Sequence, residues 1–221
     1  METPTGILTQ DMRRVNENTV WVRNIEYFWP NMATLGQAPV FPMEWGPDQK
    51  EHHDFPHLML WVVPIDDHNA MEITYVRTPD GGSNPRLVRR SPGFASNRGG
   101  RAYEEMQRYP GDYEAQIGQR DIAVHSLEHL GVIDRGVIMM RQGLRKRIRM
   151  VQQGQDPPEL AVLDSGNIVH NHSGDTLLNV PTASTPEEDK KLMAKLGRDM
   201  AKRYMKDPPN TICLPVTGID K

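Results

Sequence analysis

The chain has 221 residues with 26 Lys and Arg against 29 Asp and Glu, a formal charge of −3, which is one domain's worth of sequence and a poor electrostatic match for nucleic acid. Its single cysteine, Cys213, excludes a disulfide framework, a four-cysteine zinc site and any iron–sulfur cluster held by this chain alone, because even mixed His and Cys clusters need two cysteines. The longest apolar run, residues 58–65, is far short of the ~20 residues that cross a bilayer, and residues 1–6 have neither the basic start nor the apolar stretch of a secretory signal, so the expected compartment is the cytoplasm.

The predicted elements begin with strands. Residues 19–28 are rich in β-branched and aromatic side chains and stop short of Pro30, which is strand chemistry. Residues 30–56 contain five prolines and the cluster Glu51-His52-His53-Asp54 and are expected to form an irregular loop. Residues 58–63 are apolar on both faces, as in a central strand, and Pro64 should end the pairing. A polar turn at residues 65–69 and a strand at residues 72–76 complete an antiparallel hairpin over residues 57–77. Residues 78–100 are so dense in Gly and Pro that they read as a long connection.

The period then changes. Ile133, Val137, Met140, Leu144, Ile148 and Val151 recur at spacings of 4, 3, 4, 4 and 3, one apolar stripe on a helix. Arg141, Arg145, Lys146, Arg147 and Arg149 are expected on its solvated face, and Gly154 and Pro157-Pro158 close it. Thr185-Pro186-Glu187-Glu188 is a capping box with proline at the first helical position. It opens a second helix, about residues 186–206, whose narrow apolar face of Leu192, Leu196, Met200 and Tyr204 should pack on the main body.

Three groups of residues could carry chemistry. His125-Ser126-Leu127-Glu128-His129 fits HxxEH, a spacing that would put two imidazoles on one helical face beside a carboxylate, able to bind zinc and supply a general base. A third ligand would have to come from His170, His172 or Cys213. Glu51-His52-His53-Asp54 with His57 is another candidate metal cluster, since His53 and His57 could reach one ion. Asp112 follows Tyr109-Pro110-Gly111 and suits a helix N-cap after a turn.

A resemblance bears on these alternatives. Residues 2–6, Phe28-Trp29-Pro30-Asn31, Val63-Pro64-Ile65-Asp66-Asp67-His68, residues 119–131 ending Leu127-Glu128-His129-Leu130-Gly131, and Asp134-Arg135-Gly136-Val137-Ile138-Met139-Met140-Arg141 look like consecutive blocks of one family. That family is the phthalate-dioxygenase-type Rieske non-haem iron oxygenases, and the matched part resembles the C-terminal catalytic domain of the oxygenase alpha subunit. The resemblance runs over residues 1–158 and leaves residues 159–221 as an extension with one helix. It implies an α+β helix-grip fold, a START or Bet v 1-like antiparallel sheet with C-terminal helices around a substrate cavity. It also implies mononuclear Fe(II) held by two histidines and one aspartate, the facial triad that leaves positions open for oxygen. Asp112 matches that aspartate, with Asp121 as the fallback because Arg120-Asp121 departs from the family pattern. His129 matches a common family residue of the helix.

Two family features are absent from the sequence: the cysteine and histidine pairs of the Rieske domain and the DxxHxxxxH segment that supplies both histidine ligands. The implied protein is therefore half of a split oxygenase or a truncated product. It would require a partner chain carrying the [2Fe-2S] cluster and both histidine ligands, an NAD(P)H-dependent electron-transfer reductase, and an aromatic substrate to hydroxylate or O-demethylate. Phe28, Trp61 and Tyr75 are the candidate pocket wall. The alternatives are a non-catalytic ligand-binding or regulatory subunit built on the same cavity, and an HxxEH zinc enzyme using His125, Glu128 and His129.

Overall fold

The computed structural model describes residues 1–36, 50–54, 56–76, 102–109, 114–115, 118–164, 166 and 169–206. Its strands are β1 (Gly6–Asn16), β2 (Thr19–Phe28), β3 (Met32–Leu35), β4 (Glu51–Asp54), β5 (Leu58–Pro64), β6 (Ala70–Val76) and β7 (Gly174–Asn179). Its helices are α1 (Tyr103–Arg108), α2 (Arg135–Gln152), α3 (Pro158–Asp164) and α4 (Pro186–Lys206), with short 3₁₀ turns at His125–Leu127 and Val132–Asp134. The strands form one antiparallel sheet in the order β4-β7-β2-β3-β5-β6, with β1 along β2, so the class is α+β. Among the described residues no helix is long and apolar enough to cross a membrane.

Strand β2 organises the sheet. Its alternate residues Val20, Val22, Asn24, Glu26 and Phe28 are buried, the period-2 pattern of a strand with one covered face. At one end Val20 and Val22 join Leu8, Leu178, Met200 and Tyr204 in the core. That core is closed by α4, as its predicted apolar face requires. The helix begins where the cap was read: the Glu188 N–H donates to Thr185 Oγ1 at 3.3 Å. Strand β7, from the 159–221 stretch, is hydrogen-bonded between β2 and β4, with Val20 opposite Leu178 and Glu51 opposite Leu178 on the other edge.

The hairpin β5–β6 pairs in register from Leu58 opposite Val76 to Pro64 opposite Ala70, as the two apolar runs and Pro64 indicated. Its turn is held by Asp66, whose Oδ1 accepts from the backbone N–H groups of His68 and Asn69 at 2.8 Å, an Asx turn.

Three expectations need correction. The 30–56 stretch is not wholly irregular, because Met32–Leu35 and Glu51–Asp54 are strands; such short strands carry too little pattern of their own and are stabilised by distant partners, β5 and β7. The helix expected from Ile133 starts at Arg135, and Val132 and Ile133 lie in a 3₁₀ turn, each 94% exposed. Its apolar stripe turns inward only in part: Met140 and Leu144 are half-buried whereas Val137, Ile148 and Val151 are exposed, while Gly136 lies against Thr9 and Gly143 against Trp29. Close backbone approach by small residues sets the contact here, and a hydrophobic periodicity does not register it.

Candidate functional site

The sheet register builds a pocket wall. Phe28 of β2 lies opposite Met32 of β3, which lies opposite Trp61 of β5. One step along, Glu26 lies opposite Thr34, and Thr34 opposite Met59. Residues two apart share a face of a sheet, so these two cross-strand rows lie on the same side. Over them is a cavity of about 390 Å³ whose remaining lining comes from Thr5, the Trp29-Pro30-Asn31 turn, Glu159 at the start of α3, and Val169 and Asn171 ahead of β7. Two of the three expected wall residues, Phe28 and Trp61, line it. Tyr75 continues the second row opposite Met59, but it stands on edge strand β6 at 58% exposure, outside the cavity lining.

The floor beneath is polar and satisfied. Glu26 is fully buried and accepts from the His172 backbone N–H at 2.6 Å and from His172 Nδ1 at 3.1 Å. Ser173 Oγ lies 2.8 Å from Thr34 Oγ1 and 2.7 Å from Asn171 Oδ1, which also accepts the Ser173 N–H at 2.9 Å. A buried carboxylate without such donors would cost several kcal/mol (~3–5 if a partner were removed), so the 171–173 segment and β2 hold one another in place. Sequence reasoning passed over Glu26, although its parity with Val20 and Val22 marked it as an inward acid.

One wall is an ion pair on an aromatic ring. Arg147 Nε donates to Glu159 Oε1 at 2.7 Å and its Nη1 donates to the Gly143 carbonyl at 3.2 Å. The guanidinium lies 4.0 Å from the Trp29 ring centroid, a cation–π geometry. Arg147, expected as a solvated cation, is thereby drawn inward. Glu159 carried no signal in the sequence, because what makes it notable is its pairing with Arg147 of α2.

The HxxEH segment does not form a helix. His125–Leu127 is one 3₁₀ turn and Glu128 is extended, so the spacing does not bring the two imidazoles onto one helical face. Glu128 is engaged by Arg141, whose Nη2 donates to Oε1 at 2.9 Å while Nη1 bonds the other oxygen, and this pair keeps the Glu128 carboxyl ionised to lower pH than usual. His129, Glu128, Arg141 and Asp134 border a second, wider depression of about 710 Å³. His172 is bound to Glu26 as above.

At the other end of the sheet, His53 Nδ1 lies 2.9 Å from Thr176 Oγ1 and its Nε2 meets Glu51. Arg203 donates to both Glu51 oxygens at 2.7 and 2.6 Å. That hydrogen bonding, aided by His53 and opposed by burial, holds the Glu51 carboxyl down at about 2. Burial in turn lowers the His53 pKa, against the pull of Glu51. Among the described residues no three His, Cys, Asp or Glu groups come together as a metal site. Asp112 and Cys213 lie outside the described residues, whereas Asp121 is in an exposed bend. The described residues alone therefore do not fit a complete mononuclear iron site.

No family model matches the chain. It is 28% identical over 210 residues to the oxygenase subunit of tert-butanol monooxygenase / tert-amyl alcohol desaturase of Aquincola tertiaricarbonis, a match covering 88% of this chain and 42% of that subunit. It is 32% identical over 115 residues to the alpha subunit of phenoxybenzoate dioxygenase of Ectopseudomonas oleovorans, covering 52% of this chain and 27% of that subunit. The chain thus spans less than half the length of these curated relatives, both of them oxygenase subunits and so oxidoreductases. A match over 88% of the 221 residues is longer than residues 1–158 can supply, so the similarity continues into the stretch that contains β7 and α4.

Proposed function

We propose that this chain is the C-terminal catalytic-domain portion of a Rieske-type oxygenase, with a helix-grip sheet whose cavity receives the substrate, working in the cytoplasm. The observation that carries the reading is the similarity to an oxygenase subunit across 88% of the chain. In this reading Asp112 is the one iron ligand of this chain, with Asp121 as the fallback, and two histidines and the [2Fe-2S] cluster come from a partner polypeptide. The iron, when bound, would supply oxygen activation with electrons from NAD(P)H delivered through a reductase. The chain's own residues do the rest. Phe28, Trp61, Met32 and Met59 wall the substrate and exclude water, and the Glu26–His172 contact fixes the loop that closes the cavity.

The test is metal content and turnover. Asp112→Ala, assembled with the polypeptide carrying the two histidines, should lose most of its iron and at least about a hundredfold in product formation, as loss of one of three ligands predicts. Full iron and activity in that variant would remove Asp112 from the site. A second reading, a ligand-binding or regulatory subunit without redox chemistry, is favoured by the cavity itself, which is assembled from this chain's residues. Saturable ligand binding with no turnover in any assembled complex would select it.

A further inference from the structure

We infer that the free edge of β6 pairs with β6 of a second copy of this chain, joining two sheets across a two-fold axis. Among the described residues three strands are paired on one side only: β1 to β2, β4 to β7 and β6 to β5. Proteins keep such edges from pairing further by charge, by bulges or by short length. β1 has a bulge between Arg14 and Asn16, charges at Asp11, Arg13 and Arg14, and Glu2 bridged to Ile7. β4 has four residues and reads Glu51-His52-His53-Asp54. β6 has none of these guards. Its seven residues contain no Pro, Gly, Lys or Arg, pair with β5 without a register shift, and are all exposed from Ala70 to Tyr75.

The edge is self-complementary. An antiparallel pair with its two-fold axis at Ile73 uses the whole strand: Ala70 faces Val76 of the second copy, Met71 faces Tyr75, Glu72 faces Thr74, and Ile73 faces Ile73. Directly opposite residues lie on one face of a sheet, so apolar side chains meet apolar ones. Glu72 meets the hydroxyl of Thr74, the group it already engages within its own strand, where Thr74 Oγ1 donates to Glu72 Oε1 at 3.2 Å. Moving the axis to Glu72 would set two carboxylates against each other, which is destabilising. Moving it to Thr74 would leave Ala70 and Met71 of each strand unpaired. Met71, Ile73 and Tyr75 are each about half exposed and stand opposite Val63, Trp61 and Met59 of β5. The row Phe28, Met32, Trp61 and Ile73 therefore continues through the axis into its own copy, an isologous contact that closes as a dimer.

The experiment is sedimentation equilibrium of the full chain across about 1 to 200 μM, the range in which so small an interface dissociates. A reversible monomer–dimer equilibrium is expected. Ile73→Lys, which sets two ammonium groups face to face at the axis, should weaken the dimer at least about tenfold. The two changes at Thr74 should act in opposite directions. Thr74→Glu puts a second carboxylate opposite Glu72 twice per dimer and should weaken it about threefold or more, whereas Thr74→Lys supplies a counter-charge there and should tighten it by a similar factor. A monomer at every concentration, a dimer indifferent to Ile73→Lys, or the same response to Glu and Lys at position 74 overturns the inference. If Ile73→Lys does not fold, the wild-type equilibrium and the opposed pair at the exposed Thr74 decide. The inference does not rest on the oxygenase reading, which is judged separately by iron content and turnover.

Discussion

Trp29 is gripped from one side by a single helix. Gly143 of α2 approaches its ring so closely that an added Cβ would lie 2.3 Å from Cη2, and one turn later Arg147 covers its face. Two effects oppose each other in Gly143→Ala. Alanine inside a helix is worth roughly 1 kcal/mol over glycine, whereas forcing a methyl into a packed contact costs about 1–3 kcal/mol. The clash should prevail, lowering the melting temperature and changing the tryptophan emission; a variant as stable as the wild type would show that α2 slides freely on the sheet. At this scale legibility was uneven. Phe28 and Trp61 could be picked out because aromatic residues in strands are conspicuous, and Tyr75 was chosen on the same ground, although its strand is an edge. Glu159 and the inward turn of Arg147 were invisible because they depend on how α3 and α2 meet, which no local pattern encodes.

Helix α4 is fastened at both ends. Near its start Arg14 Nε donates to Asp189 Oδ2 at 2.9 Å, and near its finish Arg203 grips Glu51 of β4 beside the buried Tyr204. The second fastening is proton-linked. A carboxyl of ordinary pKa 4.5 held at about 2 in the folded chain favours folding above pH 4.5, and that contribution disappears as pH falls from 4.5 towards 2. Arg203→Gln should therefore melt below the wild type near neutral pH, with the gap closing across that interval. Because the pair is largely solvated, the gap should be about 1 kcal/mol or less. Equal spacing of the two melting curves from neutral pH down to pH 2 would show that the contact carries no proton-linked stability. The start of α4 was readable from sequence because a capping box with proline at its first position marks it. β3 and β4 were not readable, since four residues between prolines become a strand only when a partner from elsewhere in the chain supplies the hydrogen bonds.

Taken as a whole, the chain presents a good deal of apolar surface to solvent. Val132 and Ile133 are almost entirely exposed, and Ile122, Leu127, Leu130 and, on the open hairpin, Met71 and Ile73 are at least half or nearly half exposed. Apolar patches of this kind lower solubility when nothing covers them. Replacing Val132 and Ile133 by Lys should reduce light scattering of the concentrated isolated chain while changing its stability by no more than about 0.5 kcal/mol, the range for surface substitutions without contacts. A large loss of stability would show that the two side chains are packed in solution.

The placing of β7 has a consequence for how the molecule is made. β2 is synthesised well before β7, so the edge it offers to Leu177 and Leu178 must wait some 150 residues for its neighbour. Pairing over so long a separation is a late event. During translation the first strands can associate, but β4 finds its neighbour and Glu26 its donors only after residues 172–179 have left the ribosome. The cavity and the sheet therefore mature in one step, once residues 172–179 are available, and until then a buried-to-be acid and an open strand edge are the parts of the nascent chain in most need of protection.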